Sequence, residues 1–245
     1  MTSLVIIPTY NERENIAALL DAVVKNLPES DVLVVDDASP DGTADIVRAH
    51  GRDDSRIKLL QRPGKAGLGT AYIAGFQWAL ERDYATIIGM DADFSHAPEY
   101  LPRFIEQSQC YDLVIGSRYV PGGATPDWKL GRRIISRVGN QVARTLLSLP
   151  VHDCTTGYKC YRREALAAID FEAIDLVGYG FLIETTYQCY LRGLRIIEIP
   201  IVFTDRREGK SKMTGTIVSE ALGYVLRRRW QRVRQGFVRR RSAES

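Results

Sequence analysis

Short apolar runs and stretches of helical periodicity alternate along the first 120 residues of this chain. The run from Leu4 to Ile7 is rich in β-branched residues and ends at a proline, a pattern typical of a buried strand. Apolar residues then recur three and four positions apart up to Val24, which predicts a helix as far as Asn26. Asn11 and Glu14 have the spacing of a helix cap pair. The chain is therefore predicted to open with a strand, a loop and a capped helix.

The same strand and helix unit repeats along the chain. Further strands are predicted at residues 32–35, 57–60, 85–89 and 113–115. Further helices are predicted at residues 43–50, through 78–81, and at 97–107. Alternating strands and helices indicate a mainly parallel sheet that is covered by helices on both faces. The predicted fold class is therefore α/β, with a Rossmann-like sheet.

The pattern changes after Arg118. Residues 120–131 are a loop rich in glycine and proline, residues 151–161 are irregular, and residues 205–212 form a polar loop long enough to act as a lid. Helices are predicted at 132–149 and 181–192, and a strand at 196–201. From Ile217 onward the apolar spacing is that of an amphipathic helix. We predict a main domain at residues 1–213 and a C-terminal amphipathic, arginine-rich helix at 214–245.

Polar side chains follow the predicted strands at the points where they end. These groups are Tyr10 to Glu12, Asp36 to Asp37, Asp91 to Asp93, and Ser117 to Arg118. In open parallel sheets, ligands bind in the crevice beyond the carboxyl ends of the strands. The sequence therefore predicts one binding site that these groups share.

The Asp91-Ala92-Asp93 turn is the strongest candidate for a metal site. Two carboxylates directly after a buried strand can hold a hard divalent ion, whose other ligands are water and substrate phosphate. Such an ion would neutralise a diphosphate leaving group. The alternative is a solvated turn, in which aspartate is common, and for Asp37 the alternative is a turn residue in the Asp36 to Gly42 segment. The position at a strand end favours the metal site.

Two familiar phosphate-binding loops are absent from the sequence. The segment that begins at Gly67 has Tyr72 where a dinucleotide-binding motif needs its third glycine. The segment Gly209-Lys210-Ser211 has Thr204 where a nucleotide triphosphatase loop needs its first glycine. Neither of these nucleotide-binding classes is supported.

Composition limits the cellular setting. No run approaches the roughly 18 apolar residues that span a bilayer, and the first residues lack the features of a signal peptide, so we expect a cytoplasmic protein. The cysteines lack the paired spacing of a zinc site or a disulfide framework and are expected to be reduced, mostly buried thiols: Cys110, Cys154, Cys160 and Cys189.

Charge is distributed unevenly along the chain. Residues 225–245 contain eight arginines and one glutamate, whereas the net charge of the whole chain is +3, so the rest of the chain is mildly acidic. A basic tail indicates an anionic partner, either lipid headgroups or nucleic acid, and the alternative is a solvated, partly disordered tail. The acidic body has no basic stripe with interleaved aromatic residues, which argues against nucleic acid.

Six segments, in this order between residues 4 and 213, resemble the polyprenol-phosphate mannosyltransferases: IIPTYNEREN, VVDDASPDGT, GLGTAYIAGF, MDADFSH, IGSRY and DRREGKSKM. These enzymes are the dolichol-phosphate-mannose synthase type within glycosyltransferase family 2, which has the GT-A fold. The resemblance implies inverting transfer of mannose from GDP-mannose to a polyprenyl monophosphate, with Mg²⁺ or Mn²⁺. A glucosyltransferase or another transferase that uses a UDP-sugar remains an alternative, and a nucleic-acid-binding module is a remote one.

The resemblance also implies roles for individual residues. It assigns the nucleotide-sugar pocket to Pro8, Tyr10, Glu12, Val35 and Asp37, and the metal to Asp91 and Asp93, with Ala92 lining the donor. It assigns phosphate contacts to Arg118, Arg206 and Lys212, and the acceptor phosphate to Arg118, Arg132 and Ser136.

Three further residues are candidates for supporting roles. Relatives often carry a glutamine metal ligand where Ser95 stands, so the serine hydroxyl or a water is expected to complete the metal shell. Asp153 and Glu184 are candidates to support the site from behind. Their alternatives are a turn residue and a helix-surface glutamate.

A lipid acceptor gives the basic tail a role. A helix with Trp230 and Phe237 among arginines is suited to the anionic headgroup region of a membrane. We expect peripheral attachment at the cytoplasmic face, or a separate membrane-anchoring protein. The phosphate monoester is largely dianionic at neutral pH and can attack without a dedicated base.

Overall fold

A computed structural model describes residues 2–174, 180–204, 223–226, 228 and 230 of the chain. The strands are β1 (Ser3–Thr9), β2 (Ser30–Asp36), β3 (Ile57–Gln61), β4 (Thr86–Gly89), β5 (Leu113–Ser117), β6 (Lys159–Arg162) and β7 (Ile196–Pro200). The helices are α1 (Arg13–Asn26), α2 (Thr43–Asp53), α3 (Leu68–Leu80), α4 (Leu101–Ser108), α5 (Leu130–Leu147), α6 (Arg163–Ala167) and α7 (Gly180–Leu191), and a 3-10 turn (Pro98–Tyr100) precedes α4.

The described strands form one sheet in the order β3-β2-β1-β4-β6-β5-β7. Neighbours are parallel except around β6, which is antiparallel to both β4 and β5. The predicted α/β class with a mainly parallel sheet is confirmed.

Strand β6 contradicts the prediction that residues 151–161 are irregular. Its sequence, Lys-Cys-Tyr-Arg, does not have the pattern of a central strand, because charged residues stand at both ends. Lys159 pairs with Gly89 on one side and Ile115 on the other, and it is 1% exposed. Its ammonium group donates to the Leu182 carbonyl and the Thr186 hydroxyl, at 2.5 and 2.8 Å. Burial of this cation therefore depends on acceptors from α7, which are distant in sequence.

The core consists of two apolar layers, one on each face of the sheet. Along β1, Leu4 and Ile6 point into one layer and Val5 and Ile7 into the other, as the alternation of side chains in a strand requires. Helices α3, α5 and α7 contribute to the first layer, and α1, α2 and α4 to the second. Helices on both faces confirm the prediction made from the alternating pattern.

The cap predicted for the first helix is wrong. Helix α1 begins at Arg13, and the side chain of its N-cap, Glu12, makes no capping hydrogen bond. The N–H of Arg13 donates instead to Asp41 Oδ2 at 3.1 Å. Asn11 instead adopts a left-handed backbone with φ of 58°, and its N–H donates to the hydroxyl of Ser39 at 3.0 Å. The loop between β1 and α1 is thus held by the turn after β2, because a long-range contact replaces the local cap.

The other helix boundaries differ less. Helix α5 starts at Leu130 and ends at Leu147, whereas residues 132–149 were predicted, and Ser148 ends it in the left-handed conformation with φ of 55°. The predicted lid at 205–212 and most of the predicted helix after Ile217 lie outside the described residues. The division at residue 213 therefore stays a prediction.

Residues 223–226, 228 and 230 are helical, and we call them the C-terminal segment. Tyr224 and Val225 are buried in the same apolar layer as α3, α5 and α7. Within the described part of the chain, every helix is too short or too polar to cross a bilayer. Because Tyr224 and Val225 are buried in this layer, the C-terminal segment packs onto the main fold.

None of the four cysteines, all of which lie in the described residues, is in a disulfide. Cys110 is exposed, and Cys154, Cys160 and Cys189 are buried. Burial raises the pKa of each of these three thiols to about 12. The prediction of mostly buried thiols is confirmed, and their reduced state stays a prediction.

Candidate active site at the carboxyl edge of the sheet

The ends of β1 and β2 bring two groups of predicted nucleotide-binding residues together. Pro8 pairs directly with Val35 in the parallel register, and Thr9 pairs with Asp36. The N–H of Asp37 donates to the Thr9 carbonyl at 3.1 Å, which continues the pairing beyond the strands. Asp37 therefore lies at the carboxyl edge of the sheet, beside the ends of β1 and β2.

The loop after β3 adds two cations that the sequence analysis did not single out. Arg62 Nη1 lies 2.9 Å from Asp37 Oδ1, and the Ala66 N–H donates to Asp37 Oδ2 at 3.1 Å. Lys65 Nζ lies 4.2 Å from the centre of the Tyr10 ring. Asp37 is 4% exposed and paired with Arg62, so it is more than an ordinary turn residue. The strand-end rule that located Asp37 applies equally to this loop and could have found Arg62 and Lys65.

Hydrogen bonds hold the two predicted metal-binding residues in the turn after β4. They involve the backbone of Asp91 and the carboxylate of Asp93. The Asp91 N–H donates to His96 Nδ1 at 3.0 Å. Asp93 Oδ1 accepts from the Ser95 N–H at 3.1 Å and from the Ser95 hydroxyl at 2.5 Å. Ala92 is buried between the carboxylates, and Phe94 has φ of 61°. The turn is therefore a tightly hydrogen-bonded structure.

His96 is a residue of this turn that the sequence analysis did not assign. It is 1% exposed, and its ring stacks on Tyr158 at 4.7 Å between centres. Burial lowers the pKa of His96, so the ring is neutral at pH 7. Because Nδ1 accepts from Asp91, the proton lies on Nε2, which is 3.8 Å from Asp91 Oδ2. His96 therefore holds the backbone of Asp91 in place.

The carboxylate oxygens of this turn suit a hard divalent ion whose other ligands come from a substrate or water. The Asp91 side chain is 29% exposed, and Tyr72 donates to its Oδ1 at 3.4 Å. A Cβ at Gly157 would lie 3.3 Å from the same oxygen, so glycine keeps the approach to Asp91 open. Among the described residues, no three His, Cys, Asp or Glu side chains cluster as a metal site. Asp91 and Asp93 would thus supply part of an oxygen shell, and phosphate or water the remainder.

Arg118, which was predicted to bind phosphate, is fixed by several hydrogen bonds. Its Nε and Nη2 each lie 2.7 Å from an oxygen of Asp153, and Nη2 also donates to the Thr155 hydroxyl at 2.8 Å. Burial raises the pKa of Asp153, but the charge and hydrogen bonds of Arg118 outweigh this and hold the pKa below its usual value. Asp153 is 0% exposed, so its interpretation as an ordinary turn residue is wrong.

Glu198 of β7 holds the backbone that carries Asp153. Its carboxylate accepts from the N–H of Asp153 at 2.9 Å and from the N–H of His152 at 2.8 Å. The orientation of Arg118 is therefore supported by two successive carboxylates.

A cavity of about 440 Å³ opens beside the Asp91 turn. Three of its lining residues were predicted to bind an acceptor phosphate: Arg118, Arg132 and Ser136. Arg132 is stacked over Trp128 at 4.1 Å, and Ser136 accepts from the Tyr119 hydroxyl at 2.7 Å. Most of the remaining wall is apolar, with side chains from α5, α7 and the C-terminal segment: Ile134, Ile135, Val138, Val142, Ala143, Leu182, Ile183 and Val225.

The structure thus brings Asp91, Arg118, Arg132 and Ser136 to one cavity. The nucleotide residues stand at the neighbouring strand ends of the same sheet edge. Arg206 and Lys212 lie outside the described residues, so their predicted phosphate contacts stay predictions.

Known proteins share this fold and sequence pattern. The model of the family described as Glycosyl transferase family 2 matches residues 4–170. An undecaprenyl-phosphate mannosyltransferase of Micrococcus luteus is 49% identical over 238 residues, which are 96% of this chain and 98% of that protein. A polyprenol monophosphomannose synthase of Mycolicibacterium smegmatis is 46% identical over 222 residues, which are 90% of this chain and 84% of that protein.

A solved structure supports the fold at lower identity. The crystal structure of glucosyl-3-phosphoglycerate synthase from Mycobacterium tuberculosis, in complex with Mn²⁺, UDP and glucosyl-3-phosphoglycerate, has a TM-score of 0.70 and 19% sequence identity. The match covers 93% of this chain and 79% of that one, and it shows a common GT-A architecture. This chain belongs to glycosyltransferase family 2, among the polyprenol-phosphate mannosyltransferases.

Proposed function

We propose that this chain transfers mannose from GDP-mannose to a polyprenyl monophosphate. The observation that carries the proposal is the cavity itself. It is lined by Asp91, Arg118 and Arg132 and otherwise by mostly apolar side chains. A polyprenyl phosphate has the same two-part character, an anionic head and an apolar chain. The names of the two curated relatives, which specify mannose and a polyprenyl acceptor, support the same choice.

The donor nucleotide is proposed to occupy the neighbouring strand ends. Pro8 and Val35 would line the pocket, and Tyr10 offers an aromatic face to the base, with Glu12 and Asp37 as hydrogen-bond acceptors. A UDP-sugar is the alternative donor, since the structurally similar synthase holds UDP. Mannose in the names of both curated relatives favours GDP-mannose.

Asp91 and Asp93 are proposed to hold Mg²⁺ or Mn²⁺, with Ser95 orienting Asp93 or completing the shell. When bound, the ion would neutralise charge on the diphosphate leaving group. His96 keeps Asp91 in place from behind, and the buried hydroxyl of Ser95 does the same for Asp93. Arg206 and Lys212 are proposed to add positive charge at the diphosphate.

Arg118, Arg132 and Ser136 are proposed to hold the acceptor phosphate. The phosphate oxygen attacks the anomeric carbon of mannose and GDP leaves, with inversion at that carbon. The acceptor is mostly a dianion at pH 7, since its second pKa is about 6, so no protein base is needed. The two arginines offset the repulsion between the two anionic substrates and orient the attacking oxygen.

Helix α5 is proposed to meet the membrane from which the acceptor comes. Ile134, Ile135 and Val138 are each more than half exposed, and they also line the cavity. A bilayer that covers this face would let a prenyl chain enter without crossing water. The arginine-rich tail would add attraction to anionic lipid at the cytoplasmic face, on the order of 1 kcal/mol per nearby basic residue. A separate anchoring protein is the alternative means of attachment.

A transfer assay tests the function directly. Purified protein is given radiolabelled GDP-mannose or UDP-glucose, a short polyprenyl phosphate, and Mn²⁺, Mg²⁺ or a chelator. We expect mannose in the lipid fraction only with GDP-mannose and metal, and at least a roughly 100-fold loss in Asp91→Asn and Asp93→Asn, because oxygen ligands of the ion are weakened. The exposed Asp45→Asn is the matched control. Transfer by both metal-site variants at the control rate would exclude the mechanism.

A further inference from the structure

Glu184 of α7 is a buried carboxylate that is paired across a long stretch of chain. It is 1% exposed, and its Oε2 accepts from Arg228 Nε at 3.1 Å. A second nitrogen of the same guanidinium contacts Oε1, and Gln188 Nε2 donates to that oxygen at 2.8 Å. The interpretation of Glu184 as a helix-surface residue is therefore wrong.

Charge compensation for Glu184 comes from the C-terminal segment. A buried carboxylate without a cation costs several kcal/mol. Arg228 follows Glu184 by 44 residues, so this pair exists only when the C-terminal segment lies against α7. The Arg228 side chain is 28% exposed and also donates to the Tyr224 hydroxyl at 3.2 Å. The ion pair thus favours one docked position of the segment.

The same two elements form part of the cavity wall. Leu182 and Ile183, directly before Glu184, line the cavity from α7. Val225, three residues before Arg228, lines it from the C-terminal segment and is 1% exposed. The wall residues and the ion pair therefore lie on the same pair of helices, within one turn of each other.

We propose that Glu184 and Arg228 are positioning residues that latch the C-terminal segment onto α7 and so complete the wall that holds the prenyl chain of the acceptor. The role in acceptor binding rests on the proposed function. Glu184 and Arg228 are not among the residues that line the cavity, so the latch acts through Val225, which does line it. Its loss should weaken acceptor binding while donor binding is unchanged.

Steady-state kinetics of three variants test the latch in the full chain. Arg228→Gln leaves the buried Glu184 without its cation, whereas Glu184→Gln combined with Arg228→Gln replaces the ion pair with two amides that can bond to each other. We expect Arg228→Gln to raise the KM for polyprenyl phosphate about 10-fold, with the KM for GDP-mannose and the kcat at saturating acceptor within about 2-fold. The double variant should recover most of the acceptor affinity. Arg192→Gln, at an exposed position directly after α7, is the matched control.

Hydrogen exchange gives a second readout that does not depend on transfer. Amides of residues 223–226 should exchange at least about 10-fold faster in Arg228→Gln than in wild type, and more slowly again in the double variant. Equal exchange in all proteins would overturn the latch. An unchanged acceptor KM, an equal rise in both KM values, or no recovery in the double variant would overturn its role in acceptor binding. If wild type transfers no sugar, the proposed function and the acceptor role fail together, whereas exchange still decides whether the segment is latched.

Discussion

Arg118 and Asp153 are joined by two hydrogen bonds of 2.7 Å, although 35 residues separate them in the chain. Both side chains are nearly fully buried, yet Arg118 also lines the cavity beside Asp91. A two-pronged contact of this kind fixes the plane of a guanidinium as well as its position. The orientation of Arg118 is therefore set before any substrate binds.

Asp153→Asn should destabilise the protein and weaken acceptor binding. The substitution removes the charge that compensates a buried guanidinium, which typically costs about 3–5 kcal/mol for a buried pair. We expect a fall of that order in the free energy of unfolding, measured by urea denaturation, and a higher KM for polyprenyl phosphate in the fraction that folds. Asp45→Asn breaks an exposed pair with Arg48 and should change stability by less than about 1 kcal/mol. Equal stability of the two variants would contradict the structural role of Asp153.

Ser95→Ala should weaken metal-dependent nucleotide binding. The Ser95 hydroxyl donates to Asp93 at 2.5 Å, and loss of a hydrogen bond to a charged group costs about 1.5–3 kcal/mol. We expect at least about a 10-fold rise in the Mn²⁺ concentration that gives half-maximal GDP binding, measured by calorimetry. Ser95→Thr keeps a hydroxyl and should bind metal more tightly than Ser95→Ala. Identical metal titrations for wild type and Ser95→Ala would exclude a role for the hydroxyl.

Lys159 predicts an unusual dependence of stability on pH. Burial lowers the pKa of Lys159 to about 8, whereas lysine in an unfolded chain titrates near pH ~10.4. Between these values the unfolded state binds more protons, so the contribution of Lys159 to the free energy of unfolding rises with pH. Relative to Lys159→Met, wild type should gain up to about 2 kcal/mol between pH 7.5 and pH 10. Tyrosines and thiols titrate in both proteins and cancel in the difference. A difference that is flat or falls with pH would contradict the prediction.

The apolar face of α5 predicts a membrane-binding defect without a folding defect. Ile134 and Ile135 are 52% and 56% exposed. Replacing both with serine should lower binding to anionic phosphatidylglycerol vesicles about 10-fold, because apolar area no longer leaves water on binding. The melting temperature should stay within about 2 °C of wild type, since surface changes usually have small effects. Leu191→Ser, at the 53% exposed end of α7, is the control, and an equal loss in both proteins would argue against an α5-specific contact.

Local pattern was sufficient for most of the fold. The β-branched runs that became β1 and β2 are buried strands between turn residues, and each is followed by a helix with an apolar stripe. Such patterns depend on which face of an element is buried, and this is written into its own residues. The strand-end rule also located the Asp91 turn and Asp37 from the sequence.

Other features could not be predicted because their partners are remote. Strand β6 is concealed by Lys159, whose burial depends on acceptors in α7. The expected cap at Asn11 is replaced by a bond to Ser39, from the turn after the next strand. Propensity rules consider only neighbours in sequence, and in both places a long-range contact overrides them.

The sequence by itself determined the α/β class, the two predicted metal-binding carboxylates and the family to which the chain belongs, since these follow from local periodicity and contiguous motifs. The tertiary structure alone decided that Asp153 faces Arg118 and that Glu184 faces Arg228. A carboxylate has the same local sequence signal whether it is solvated or buried. Only folding brings a cation from 35 or 44 residues away to compensate it, and with that cation it becomes a group that orients the site.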